Sequence, residues 1–386
     1  MNVKNFNIIR LSRTEGFTAT IFHKSLARYR TVDNIIKNFG RIENGNIKLC
    51  DEEKVSREIE ECEKLGAKVI TYMDSEYPPY LRSTGIFPLA LTCLGNISLL
   101  DNNRKLAIVG SRSCSVNSFN FTKKIAREIS NYGYIIVSGL ARGIDSASHI
   151  GSLENGTIAI LGSGINNIYP RENEYLYYEI LDKNGLIVSE FSLNTKPRPE
   201  NFPIRNRTIA GISKGVLIIS AGMMSGSLHT ANQAAKYGRE ILVFPGNPYD
   251  NNYIGSNKLL QQGATMVTSV TDIIESLESF ILPRDADLND SSQEFGEKFE
   301  FHDTNYSSEH LSGAEENKQM NFEDDSKKLT PEELILSKLD HCPVDVGELI
   351  DQINLEIGEI NSIIMKLNLE GKIIIENGKI CIRGIY

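Results

Sequence analysis

The chain has 386 residues, 40% of them hydrophobic, with six cysteines and a formal net charge of −9. That length accommodates two or three domains whose cores need no metal or disulfide staple, and Cys50, Cys62, Cys93, Cys114, Cys342 and Cys381 show no Cys-x-x-Cys spacing. No apolar run is long enough to span a bilayer and the first residues lack a signal-peptide core, so a soluble, cytoplasmic protein is expected and a membrane is not.

Residues 1–70 read as a small helical domain, with apolar residues in register over 31–39 (Ile35, Ile36, Phe39) and 52–65 (Val55, Ile59, Cys62). Glu15-Gly16-Phe17 suggests a helix-hairpin-helix contact with DNA but lacks its paired glycines, which leaves ordinary helix packing as the simpler reading. Residues 71–104 read as a connecting segment.

From 105 to 282 short apolar runs alternate with amphipathic stretches. LAIVG precedes 117–132, YIIVSG precedes 144–154 and TIAILGSG precedes 171–184; LIVSE precedes 205–213, GVLIIS precedes 226–237 and EILVFPG precedes 256–262. This alternation predicts βαβ units, hence an α/β, Rossmann-like, doubly wound parallel sheet covered on both faces.

Residues 283–328, rich in Asp, Glu, Ser and Asn without periodicity, read as a flexible acidic linker. Residues 329–386 begin a helix at Thr330-Pro331-Glu332, continue with helices near 345–353 and 356–369, and end in KIIIE-NG-KICI, a type I′ hairpin pattern; a winged-helix domain is expected. The four regions carry charges of +1 (1–103), +3 (104–282), −8 (283–328) and −5 (329–386), so the acidity lies outside the α/β region.

Ligands of a doubly wound sheet bind beyond the carboxyl ends of its strands. Here those ends carry Gly110-Ser111-Arg112, Ser138-Gly139-Leu140, Gly162-Ser163-Gly164 and Ser225-Gly226-Ser227. Glycine permits close backbone approach, helix N-termini offer free N–H groups and hydroxyls add donors, which together suit phosphate; tight βα turns would need the same glycines.

Arg112, Arg171 and the Arg205-Asn206-Arg207 cluster add cations suited to bidentate phosphate contacts. Pairing within the chain to Asp145, Glu172 or Glu190 is the alternative for each. No G-x-G-x-x-G or G-x-x-x-x-G-K-[ST] loop is present, so no cofactor is expected. His149 and His229 have no legible nucleophile or metal set beside them, and the expectation is a protein that is not an enzyme.

The series IVGSR (108–112), VSGLARGID (137–145), TIAILGSGINNIYP (157–170), FPIRNRTIAG (202–211), SGSLHTA (225–231) and FPGNPYDNNYIGSNKLLQQGA (244–264) resembles the DNA-processing protein A (DprA/Smf) family over about 175 residues. The resemblance implies an extended Rossmann domain that binds single-stranded DNA without sequence preference, forms a homodimer and loads RecA recombinase in natural transformation and recombination. Carried over by position, the DNA-binding residues would be Gly110, Ser111, Arg112, Ser138, Gly139, Arg171, Arg205, Asn206, Arg207, Ser225, Gly226 and Ser227.

The strand before SGS ends in Ser220 where the family usually has an acid. The alternative is a nucleoside-monophosphate phosphoribohydrolase, whose G-G-x-G-T-x-x-E loop SGSLHTANQ approaches, but with Gln233 in place of the glutamate. The last long helix exposes mainly Glu356, Glu359, Asn361, Ser362 and Asn368 beside Lys366, a poor face for DNA and a better one for a protein partner.

Overall fold

The computed structural model describes residues 3–280, 330–339, 343–376 and 378–383, so the segment read as an acidic linker lies outside the described residues. Four helices come first: α1 (Val3–Ser12), α2 (Ala19–Tyr29), α3 (Val32–Lys37) and α4 (Glu52–Lys64). Thr18 and Thr31 cap α2 and α3 by accepting from the backbone N–H of Ile21 and Asn34, which fixes where each helix begins. Ile8, Leu11, Phe17, Phe22, Ile35 and Phe39 close around Leu89, while Ile9, Val55 and Cys62 turn the other way and pack on the sheet.

The sheet has nine strands in the order β1-β2-β6-β5-β4-β3-β7-β8-β9. Two of them, β1 (Ala67–Thr71) and β2 (Ala90–Gly95), fall where the sequence suggested the end of a helical region and a connection. They pair antiparallel with each other, and β2 pairs antiparallel with β6. The sheet is therefore mixed, which corrects the expectation of a parallel one: the turn from β1 to β2 contains only the single-turn α5 (Pro79–Arg82), too little for a parallel crossover.

The remainder is parallel and follows the expected alternation as far as residue 261, with a further strand and helix added beyond it. In chain order it runs β3 (Lys105–Val109), α6 (Val116–Asn131), β4 (Ile135–Ser138), α7 (Ile144–Ser152), β5 (Thr157–Ile160), α8 (Glu174–Asp182) and β6 (Leu186–Ser189). It continues through α9 (Asn201–Ile212), β7 (Gly215–Ile218), α10 (Gly226–Lys236), β8 (Glu240–Val243), α11 (Ile254–Gln261), β9 (Thr265–Met266) and α12 (Val270–Ser279).

The chain leaves β3 towards β6 and then returns to β7 on the other side of β3, so the topological switch lies between β3 and β7. Alternate residues feed opposite cores: Val109, Val137, Ile160 and Ile218 lie with α9 and α10, whereas Ile108, Ile136 and Ile219 lie with α6 and α12. Both faces are covered, which is why the strands read as continuous apolar runs.

After the undescribed segment come α13 (Pro331–Lys338), β10 (Val344–Asp345), α14 (Val346–Asp351), α15 (Ile357–Leu369), β11 (Ile373–Glu376) and β12 (Lys379–Ile382). Thr330 and Glu333 form a reciprocal capping box ahead of Pro331. Ile335, Leu349, Ile360, Ile364, Leu367, Ile373 and Ile380 make a separate core that also takes in Val116, the first residue of α6. Lys366, the cation on the exposed side of α15, is engaged by Glu332 and Glu370. No described helix is long and apolar enough to cross a membrane.

Candidate nucleic-acid interface

The loops that follow β3, β4, β5 and β7 meet at the carboxyl edge. Gly143, at φ +70°, is the N-cap of α7, and a Cβ there would come within 2.7 Å of the Arg112 carbonyl oxygen. With Ile144 N–H donating to the Ser111 carbonyl at 3.2 Å, this locks the β4–α7 loop onto the β3–α6 loop. Gly110 fits equally tightly, since a Cβ would lie 2.7 Å from Ile144 and 2.9 Å from the Ser220 carbonyl.

Phe202, in the first turn of α9, is the centre of the cluster. Its ring rests on Gly162, where an added Cβ would stand 2.8 Å away. The guanidinium groups of Arg112 and Arg205 each lie 5.6 Å from its centroid, and the half-exposed Tyr169 ring lies 5.6 Å away at 47°. This is a cation-flanked aromatic platform on a rigid edge.

The two arginines have different jobs. Arg112 is exposed and has no ion pair among the described residues. Arg205 is only 4% exposed: its Nη1 donates to the carbonyls of Gly139 and Ile160, the latter at 2.9 Å, and its Nε donates to Asn206 Oδ1 at 3.0 Å. Burial lowers its pKa to about 10. Asp145, also buried, accepts from the Gly139 N–H at 3.1 Å. Burial pushes its carboxyl up, against the pull of Arg205 and Arg112. Arg205 thus caps the ends of β4 and β5 and is not a free phosphate ligand.

The other expected residues divide by position. Asn206 ties α9 to the start of α10 by donating to the Gly226 carbonyl at 3.2 Å, beside the Ser225–Ser227 hydroxyl pair at 2.7 Å. Ser111 turns inward on its own loop and accepts from Ser113 N–H at 3.2 Å. Ser138 is fully buried and donates to the Ile108 carbonyl at 2.7 Å, so it serves the sheet.

Arg171 is exposed on a turn that Asn173 pins to the β4–α7 loop by donating to the Leu140 carbonyl at 2.8 Å. Arg207 is not brought to Arg112 at all. It lines a separate cavity with Glu190, because residues two apart on a helix face different ways. Glu172 is taken by Arg142 at 2.9 Å. None of the four arginines closes an ion pair with Asp145, Glu172 or Glu190 among the described residues: Arg205 and Arg112 both act on Asp145, and Arg207 on Glu190, at longer range.

Of the two histidines considered, His149 is fully buried, with Nδ1 2.8 Å from the Thr157 hydroxyl. Burial lowers its pKa to about 3, so it is a neutral packed side chain at ordinary pH. The sequence offered Asp145 as a partner for the arginines and Gly162 as part of a glycine loop; the structure has Asp145 holding the Gly139 N–H and Gly162 carrying the Phe202 ring.

A family model described as DNA recombination-mediator protein A matches residues 68–278. The chain is 38% identical over 226 residues to DNA processing protein DprA of Bacillus subtilis, covering 58% of this chain and 76% of the relative. The solved structure of DNA processing protein A from Streptococcus pneumoniae is similar with a TM-score of 0.61 at 30% identity, over 73% of this chain and 100% of that one. A structure of DNA processing protein A from Helicobacter pylori, which concerns that protein's single-stranded DNA binding mode, matches with a TM-score of 0.50 at 30% identity, over 55% of this chain and 95% of that one. These likenesses favour DNA processing over the phosphoribohydrolase alternative.

Proposed function

The chain belongs to the DNA recombination-mediator protein A family, and on that premise we propose that it binds single-stranded DNA, without sequence preference, along the carboxyl edge of its sheet and delivers the strand to RecA recombinase. The observation that carries this reading is the exposed Arg112 guanidinium set 5.6 Å from the Phe202 ring, with Tyr169 beside it. Phosphate held by Arg112 and Arg171 would leave the adjoining base to stack on Phe202, a contact of about 1–3 kcal/mol per base. Gly110, Gly139 and the Ser225-Gly226-Ser227 start of α10 keep backbone close to that path, while Arg205, Asn206 and Ser138 hold its walls. Phosphate contacts carry no sequence information, so binding should be general and salt-sensitive.

The same proposal takes the protein as a cytoplasmic, non-catalytic homodimer acting in transformation and recombination, with two edges able to engage one strand. Its parts are a helical domain (1–70) whose last residues begin β1, a segment (71–104) that carries β2 and so extends the sheet, the DNA-binding α/β domain (105–282), an acidic linker (283–328) and a winged-helix domain (329–386). Three helices with the β10-β12-β11 sheet support the last assignment, and the acids around Lys366 favour a protein partner for it.

Fluorescence anisotropy of a labelled oligo-dT tests the site. Arg112→Ala and Phe202→Ala should each weaken binding about ten-fold or more, in keeping with the stacking and phosphate terms, and added salt should weaken the wild type. Binding indifferent to both substitutions would overturn the site.

A further inference from the structure

On the other side of α9 lies a cavity of about 250 Å³. Its apolar walls include Phe17, Leu81, Phe87 and Ile204, and its charged groups are Glu190 and Arg207, with the hydroxyl-bearing Thr18, Thr208 and Tyr237 also lining it. Glu190 directly follows β6, so the cavity sits on the same carboxyl edge as Arg112, yet nothing in the strand-binding reading uses it. Typical small-molecule pockets hold about 300–1,000 Å³, so this one suits a single heterocycle better than a whole cofactor.

Within the cavity, Glu190 Oε1 accepts from the Thr208 hydroxyl at 2.8 Å. The Glu190 backbone carbonyl accepts from Arg13 at 3.1 Å, and Arg13 is itself held by Glu58 at 2.9 Å. The charged group beside the carboxyl that no other acid claims among the described residues is Arg207.

A largely apolar slot lined by a carboxylate and a guanidinium that do not ion-pair with each other offers both an acceptor pair and a donor fork to one ligand. Guanine is the base whose edge complements this, because its N1–H and N2–H₂ are adjacent donors and its O6 and N7 are acceptors. Adenine and cytosine would turn a ring-nitrogen lone pair towards the carboxylate, and thymine offers only one donor. We propose that this cavity is a guanine-recognition pocket, in which Glu190 accepts from N1–H and N2–H₂, Arg207 donates to O6 or N7, and the apolar walls hold the ring. The base comes either from a free guanine nucleotide or from a strand lying on the edge, where this one pocket would add a local guanine preference to the sequence-independent contacts proposed for Arg112.

The pocket carries its own pH signature. Burial raises the Glu190 carboxyl to about 7, against Arg207, the Thr208 hydroxyl and Arg13. Tyr77 and Tyr237 are the other titratable groups near it, and burial raises both. Guanine requires the ionised carboxylate, so affinity rises from pH 6 to pH 8.

Calorimetric titration of the full chain with guanosine and adenosine monophosphates tests the free-nucleotide source, and anisotropy with oligo-dT carrying one central dG or dA tests the strand source. Guanine is expected to be preferred at least ten-fold in one arm, several-fold more tightly at pH 8 than at pH 6. The preference should fall at least ten-fold in Glu190→Gln and in Arg207→Gln, the latter altering an exposed side chain that leaves the fold intact. The arm that discriminates identifies the source. No guanine preference in either arm, or a preference that survives both substitutions, overturns the pocket. Oligo-dT binding that persists in those variants leaves the Arg112 site standing whatever happens here.

Discussion

Arg112 and Arg205 stand equally far from the Phe202 ring but differ in what their removal would expose. Arg112→Ala trims an exposed side chain and should change stability by no more than about 0.5 kcal/mol. Arg205→Ala would strip the Gly139 and Ile160 carbonyls of a buried donor and leave Asp145 with its nearest buried cation gone, a loss of about 3–5 kcal/mol. Urea denaturation of the two variants separates them; equal midpoints would mean that Arg205 is not structural. Glu190 gives a second test. Its carboxyl titrates near 7 in the fold against about 4.5 unfolded, so its favourable contribution is complete below about pH 4.5 and is lost as pH rises through about 7. Glu190→Gln should therefore raise the unfolding free energy more at pH 8 than at pH 5, by about 2 kcal/mol after allowance for the carboxyl's partial access to the cavity. An identical effect at both pH values would deny the raised pKa.

Helix α9 shows how a motif can be legible while its geometry is not. The letters FPIRNR announced an arginine cluster, and the glycine loops announced where ligands approach, but at about 100° per residue Arg205 and Arg207 point roughly 200° apart. Which arginine would turn inward depended on the carbonyl ends of β4 and β5, which are remote in sequence. The parallel strands β3 to β8 were readable because they are buried on both faces and alternate with helices, whereas the two-residue, exposed β9 was not. AKVIT and ALTCLG were not, being short and joined by 18 residues that contain only one helical turn, and their antiparallel pairing has no local signature. Crowding at the start of α7 yields an element-scale prediction. Gly143→Ala must push the β4–α7 loop off the Arg112 carbonyl, since both φ and space forbid a Cβ, at about 1–3 kcal/mol. Strand affinity should fall with it although no ligand atom has been removed. Unchanged anisotropy in a folded Gly143→Ala protein would show that the two loops need not be locked together.

At the scale of the whole chain, charge is distributed against function: +1 and +3 over residues 1–103 and 104–282, then −8 and −5 over 283–328 and 329–386. The net −9 therefore reports the second half and says little about the edge where Arg112 lies. The last module is not remote from that edge, because its core includes Val116, four residues beyond Arg112 at the start of α6. Residues 283–328 join α12 to that module in sequence and carry −8, so their acids are expected to compete with DNA phosphates for the same arginines. Replacing residues 283–328 with a neutral Gly/Ser stretch of equal length keeps the tether and removes the charge. Oligo-dT affinity should then rise several-fold near 10 mM ionic strength, where the screening length is about 30 Å, and converge with the wild type near 1 M, where it is about 3 Å. A gain that persists at high salt would point instead to steric release of the module packed on Val116, and deletion of residues 330–386 alone would then reproduce it. No gain at low salt would mean that the acidic segment never meets the arginine edge.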